Sequence, residues 1–217
     1  MRSRSKLGIA AALLVASAAF AGYRRMGART EEPLPVLVQI DGFSLVDQRG
    51  KPATLGDLAG NVWIADFIFT GCQAACPMLT SRMRTLQRHL EERERAVGHA
   101  LPVRLISFSV DPEVDTPDKL AAYAAKWGAD ERRWSFLTGS LADVNRAVVR
   151  GMKIPFEKSE SDATSNTAAF DVMHGEHLVV VDGRGRIRGY FVADPEGMQA
   201  LENAVETLLI ETGDQGS

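Results

Sequence analysis

Apolar positions along the chain change period several times, and each change marks an element. Val62 to Phe69 is a near-continuous apolar run, the pattern of a strand buried on both faces. From Pro77 to about Glu94 the apolar residues Met78, Leu79, Met83, Leu86 and Leu90 recur at helical spacing, and Pro77 suits the first helical position. Leu101 to Val110 is a second apolar strand. Asp115-Thr116-Pro117-Asp118 offers an N-cap and a first-turn proline for a helix to about Trp127, which Gly128 ends. Trp134 to Leu137 predicts a short strand and Ser140 to about Val149 a helix. Gly151 to Asp171 is mostly polar and predicts an irregular surface insertion. His177–Val181 and Arg186 to Phe191 predict strands joined by the turn Asp182-Gly183-Arg184-Gly185. Pro195 to about Glu211 closes the pattern as an amphipathic helix. Upstream, Val36 to Val46 with Asp47-Gln48-Arg49-Gly50 predicts a strand or hairpin, and Thr54 to Leu58 a short turn.

Strands alternating with helices imply a mostly parallel sheet, and the late hairpin adds an antiparallel edge. The expected architecture is α/β, a thioredoxin-like fold with a central mixed sheet flanked by helices. It occupies residues 36–212, about the size of one domain, and residues 213–217 form a flexible tail. Residues 1–26 have another character. Arg2, Arg4 and Lys6 precede an uncharged stretch from Leu7 to Tyr23, and Ala19-Phe20-Ala21 resembles a cleavage site. Both a cleaved signal peptide and an uncleaved signal-anchor fit this layout. Either would put the remainder outside the cytoplasmic membrane, on the periplasmic or extracytoplasmic side, with polar residues 27–35 as a tether. Composition excludes little: 45% of the 217 residues are hydrophobic, as in an ordinary globular protein. The formal net charge of −3 and the absence of a basic block past the N-terminus argue against a nucleic-acid partner.

The chemistry concentrates at Cys72 and Cys76, the chain's two cysteines. They stand between the apolar strand and the long helix, so the second thiol lies at or near a helix N-terminus. There the dipole and free N–H groups favour thiolate, and a lowered cysteine pKa is expected. Residues i and i+4 share a helix face, so both sulfurs could address one small target. They could close a disulfide, attack one, or bind a metal. Two thiolates underfill most metal sites, and soft thiolates with imidazole suit copper or zinc. Four histidines could complete such a site. His89 and His99 read as solvated surface; His174 and His177 enter the late strand, in a loop that this fold would turn toward the cysteines. Met78 and Met173 are thioethers, although filling core gaps is the commoner use of methionine.

Three motifs in order resemble the Sco/SenC family. They are Phe69-Thr70-Gly71-Cys72-Gln73-Ala74-Ala75-Cys76-Pro77, Ser107-Phe108-Ser109-Val110-Asp111-Pro112-Glu113-Val114-Asp115-Thr116-Pro117, and His174 eight residues before Asp182-Gly183. The resemblance implies a membrane-tethered, thioredoxin-like copper protein that helps assemble the binuclear copper site of cytochrome c oxidase. By it, the metal ligands fall on Cys72, Cys76 and His174, and Cys72 and Cys76 also form the redox-active disulfide. The implied partners are the copper-bearing oxidase subunit or another copper protein. Gln73, Met173 and Gly175 depart from the family's usual residues, and His177 adds a nearby imidazole. Two alternatives use the same sulfurs: a thiol-disulfide oxidoreductase reducing client cysteines, and a redox or copper sensor. The absence of proline between Pro155 and Pro195, where thioredoxin-type enzymes carry a cis-proline, favours a metallochaperone over an enzyme.

Overall fold

Two neighbouring strands, Val62–Ile68 and Val103–Ser109, are buried along almost their whole length, their side chains alternating between two opposite faces. The computed structural model describes residues 33–73, 75–158, 170–172 and 177–213. The expected signal or anchor segment, most of the tether and the tail from residue 214 lie outside them. From Leu34 on, the described residues form one compact unit.

In chain order the strands are β1 (Val38–Gln39), β2 (Ser44–Asp47), β3 (Pro52–Thr54), β4 (Val62–Ile68), β5 (Val103–Ser109), β6 (Trp134–Thr138), β7 (Phe156–Lys158), β8 (Phe170–Val172), β9 (His177–Val181) and β10 (Arg186–Val192). The α-helices are α1 (Ala75–Val97), α2 (Pro117–Trp127), α3 (Leu141–Asn145) and α4 (Pro195–Gly213). Eight strands form one sheet in the order β1-β10-β9-β4-β5-β6-β2-β3, and β7 pairs with β8 apart from it. The β4–β5 and β5–β6 pairs are parallel, while β9 runs antiparallel to β4 and β10 antiparallel to β9. The sheet is mixed, as expected, but among the described residues only two of its seven pairings are parallel, so it is not the mostly parallel sheet implied by strand–helix alternation: β1, β2, β3, β9 and β10 all join it antiparallel.

Along β4, Val62, Ile64 and Ile68 join one apolar cluster, and Trp63, Ala65 and Phe67 join another. The first cluster takes in Leu79, Met83, Leu86 and Leu90 of α1, together with Leu120 of α2 and Leu201, Val205 and Leu208 of α4. The second takes in Val144 of α3 with Ala147 and Val148 from the turn after it. The sheet is therefore covered on both faces, which is why β4 reads as continuously apolar.

Several elements differ from expectation. Helix α1 begins at Ala75, so Pro77 is its third residue rather than its first. Proline fits there because the first-turn N–H groups have no intrahelical acceptor. The cap of α2 is Thr116, whose side chain accepts from Lys119 N–H, and Gly128 closes the helix at φ 65°. The helix expected over Ser140–Val149 is α3 followed by a π-helical segment, Arg146–Gly151. The polar insertion is only partly irregular, since Met152 and Phe156 are buried and Phe156–Lys158 pairs with Phe170–Val172.

Candidate metal centre

Parallel strands deliver their following loops to the same edge of a sheet, and ligands bind there. β4 leads into the cysteine loop, and neighbouring β5 leads into the loop that holds Asp111 to Asp115. A hydrogen bond from Val110 N–H to the Ile68 carbonyl (2.9 Å) extends the pairing past the strand ends.

Cys72 is half-buried between exposed Gly71 and Gln73, and its N–H donates to the Phe69 carbonyl at 3.1 Å. Cys76, the second residue of α1, is 4% exposed. Its N–H donates to the Sγ of Cys72 at 3.4 Å. That N–H is one of the orphan donors of a helix start, and it is directed at sulfur rather than at water. Both thiols are free. One sulfur can be reached from solvent and the other backs it from the interior.

The expectation of a lowered pKa fails at Cys76. Burial pushes its thiol up, and the Cys72 sulfur and the Asp66 carboxyl add to the effect. Desolvation outweighs the helix dipole once the docked helix removes the side chain from water.

An uncommon polar group stands behind the pair. Asp66 lies on β4 with the parity of Ile64 and Ile68, hence on the face of the sheet that α1 covers. It is fully buried, and neither carboxyl oxygen meets a hydrogen-bond partner among the described residues. Burial raises its pKa from 3.8 to about 7; the hydroxyl of Ser107, its register partner on β5, tempers the shift without reaching bonding geometry. That hydroxyl accepts from Trp134 Nε1 at 2.9 Å. On the other side, Thr80 Oγ1 donates to the Cys76 carbonyl and shares a bond with the Tyr123 hydroxyl, both at 2.8 Å. Tyr123 is pushed up to about 12, chiefly by burial. Asp66, Thr80 and Tyr123 belong to none of the sequence motifs, although an acid inside an apolar strand is a legible signal.

His174, with Met173, Gly175 and Glu176, lies outside the described residues, so the cysteines are the part of the predicted site that the structure brings together. His177 opens β9 opposite Val192 of β10. Strand alternation puts it with Val179 and Val181, on the face away from Cys76. His89 pairs with Glu202 of α4 at 2.8 Å, and His99 meets the carbonyl of Ala100, so both belong to the surface as expected. Met78 packs partly buried against the core. Among the described residues no cluster of three His, Cys, Asp or Glu side chains could hold a metal ion. The two thiols nevertheless suit a soft ion, given one donor from the loop before β9.

The SCO1/SenC family model matches residues 37–209. A SCO1 protein homolog of Bacillus subtilis is 35% identical over 153 residues, 70% of this chain and 76% of that protein. A protein of Stutzerimonas stutzeri named for copper binding is 30% identical over 178 residues, 81% of this chain and 79% of that one. Among solved structures, a SCO1/SenC family lipoprotein of Bacillus anthracis superposes with a TM-score of 0.67 at 28% identity, covering 83% of this chain and 98% of its own. The structure of BsSco, described as carrying a disulfide switch and as a member of the Sco family of cytochrome c oxidase assembly proteins, gives 0.65 at 29% identity, with 82% and 98% covered.

Proposed function

The chain belongs to the SCO1/SenC family, and from that premise we propose that it is a copper-binding assembly factor serving the copper site of cytochrome c oxidase. The observation that carries the reading is the pair of free thiols four residues apart, one reachable and one buried, joined by the Cys76 N–H to the Cys72 sulfur. Copper is the cargo. Cys72 and Cys76 supply the soft donors and His174 the neutral nitrogen, a set that suits Cu(I). The buried Cys76 favours metal over bulk exchange chemistry: a thiol held protonated by burial is a poor free nucleophile but is deprotonated when a metal takes its sulfur. The relative named for copper binding and the membership of BsSco among oxidase assembly proteins support cargo and client. The likeness to a lipoprotein, with the basic and apolar N-terminal segment, supports an anchored domain on the extracytoplasmic side.

Anaerobic titration of the reduced protein with Cu(I), read by absorption and metal analysis, tests the reading. One ion per chain is expected, and Cys72→Ser or Cys76→Ser should each abolish tight binding. Full-strength binding by either variant overturns the assignment. Turnover of a client disulfide by the copper-free protein would favour the oxidoreductase instead.

A further inference from the structure

We infer that Asp115 is a positioning residue for the cysteine pair, gripping the strand-to-loop junction that carries Cys72. Asp115 is fully buried although it belongs to a polar loop, the one joining β5 to α2. Its carboxylate accepts the Thr70 N–H at 3.0 Å, the Thr70 hydroxyl, and the Ser109 hydroxyl at 2.7 Å. Buried carboxylates persist where hydrogen bonds to charge replace water, and such bonds are among the stronger ones. All three donors flank the site: Ser109 ends β5, and Thr70 stands two residues before Cys72.

The loop that presents the carboxylate is itself fixed. Asp115 N–H donates to the Asp111 carbonyl at 2.8 Å, and the adjacent Thr116 caps α2. That helix carries Tyr123, whose hydroxyl meets Thr80, which in turn donates to the Cys76 carbonyl. A single stretch of chain, from Ser109 to Tyr123, therefore braces both cysteines: Cys72 through Asp115 and Thr70, Cys76 through Tyr123 and Thr80. With both ends held, the Cys76 N–H stays on the Cys72 sulfur and the donors are set before any ligand arrives. Groups that orient ligands in this way typically change metal affinity by about 10- to 100-fold when lost.

The test uses the reduced protein, its Asp115→Asn and Thr70→Val variants, Thr70→Ser as the conservative rescue, and Ser140→Ala as a control. The control removes a helix cap, that of α3, on the opposite face of the sheet from α1. Cu(I) affinity is read by competition with a chromogenic chelator. The dithiol–disulfide equilibrium is read in dithiothreitol buffers without copper, and thermal melting is followed in parallel. Asp115→Asn and Thr70→Val should weaken Cu(I) binding by about 10- to 100-fold, beyond any loss in Ser140→Ala, and shift the thiol equilibrium toward the dithiol. Thr70→Ser should stay at the wild-type level in both readouts. Wild-type affinity and equilibrium in folded Asp115→Asn would overturn the inference. So would losses no larger than those of Ser140→Ala at matched melting temperature. If Asp115→Asn fails to fold, Thr70→Val decides by the same criteria. The metal arm rests on the copper reading above; the thiol equilibrium does not. A wild-type protein that binds no Cu(I) would sink that reading and leave the equilibrium to judge Asp115.

Discussion

Three side chains carry most of what can be tested one residue at a time. Asp66 has a carboxyl whose folded pKa is about 7 against an ordinary 3.8, because burial disfavours its charge. For an acid raised in this way, the folded state holds a proton that the unfolded chain releases. Stability is then intact below pH 4 and declines as pH rises toward 7. Over that full window the decline amounts to about 4 kcal/mol, at 1.36 kcal/mol per pH unit. Asp66→Asn should remove this slope between about pH 4 and pH 7, read as urea unfolding midpoints across a pH series; an unchanged slope would mean that another group titrates. Below pH 4 the opposite sign takes over. The Asp182 carboxyl is held low despite its burial by Arg186, backbone N–H groups and Arg188, so its contribution is lost as pH falls through its folded value. The two histidines separate by strand parity for one and by the family motif for the other. His177 shares the strand parity of Val179 and Val181, away from the face that Cys76 occupies, whereas the eight-residue count back from Asp182 lands on His174. His174→Ala should therefore weaken Cu(I) binding far more than His177→Ala. Comparable losses would mean a shared ligand.

Among the elements, those with a clear period were legible from sequence, and those defined by docking were not. β4, β5, α1 and α2 came out within a few residues of expectation because alternation, helical spacing and the Thr116-Pro117 and Gly128 signals act locally. The burial of Cys76 was not legible: the helix N-terminus is visible in sequence, but the packing that removes its thiol from water depends on where α1 docks. Asp115 falls in a stretch, Asp115-Thr116-Pro117-Asp118, whose residue types mark a helix start; only the tertiary structure turns its side chain toward Thr70. The π-helical turn Arg146–Gly151 has no period of its own, and the polar stretch after it conceals the buried Met152 and Phe156. A charge can also join elements. Arg188 of β10, 3% exposed, pairs with Asp182 at 2.9 Å and with Glu211 of α4 at 3.0 Å, and donates to the carbonyls of Leu34 and Pro35. Breaking one side of a buried pair leaves the other charge stranded, so Arg188→Met should lower unfolding stability by about 3–5 kcal/mol in urea titrations. A loss within about 0.5 kcal/mol, the range of surface substitutions, would show that the network is dispensable.

For the molecule as a whole, the same fold that forms a two-sided core brings two sulfurs, and no other thiol, to the edge where β4 and β5 end. On the proposed copper reading, the metal and the disulfide compete for these atoms. Binding Cu(I) requires both sulfurs with their protons gone, and a disulfide offers neither a thiolate nor a titratable thiol. An oxidant of the thiol-disulfide class, such as oxidised glutathione in excess, accepts two electrons from the pair. Cys72, the reachable sulfur, attacks first: the glutathione S–S bond breaks, a Cys72–glutathione disulfide forms, and one glutathione leaves with the Cys72 proton. Cys76 then displaces glutathione, its proton leaving as the intramolecular bond closes. A disulfide switch is described for BsSco, a Sco-family protein of this fold. Mild oxidation should therefore remove both free thiols and all tightly bound copper in step, and reduction should restore both. Copper bound beforehand should slow alkylation of the cysteines, with Cys72 the more protected in rate because it alone is otherwise exposed to reagent. Thiol counting and copper retention measured on the same samples decide the matter: a fully oxidised protein that kept its copper at full stoichiometry would mean that the ion sits elsewhere, and that the cysteine pair is a redox element without cargo.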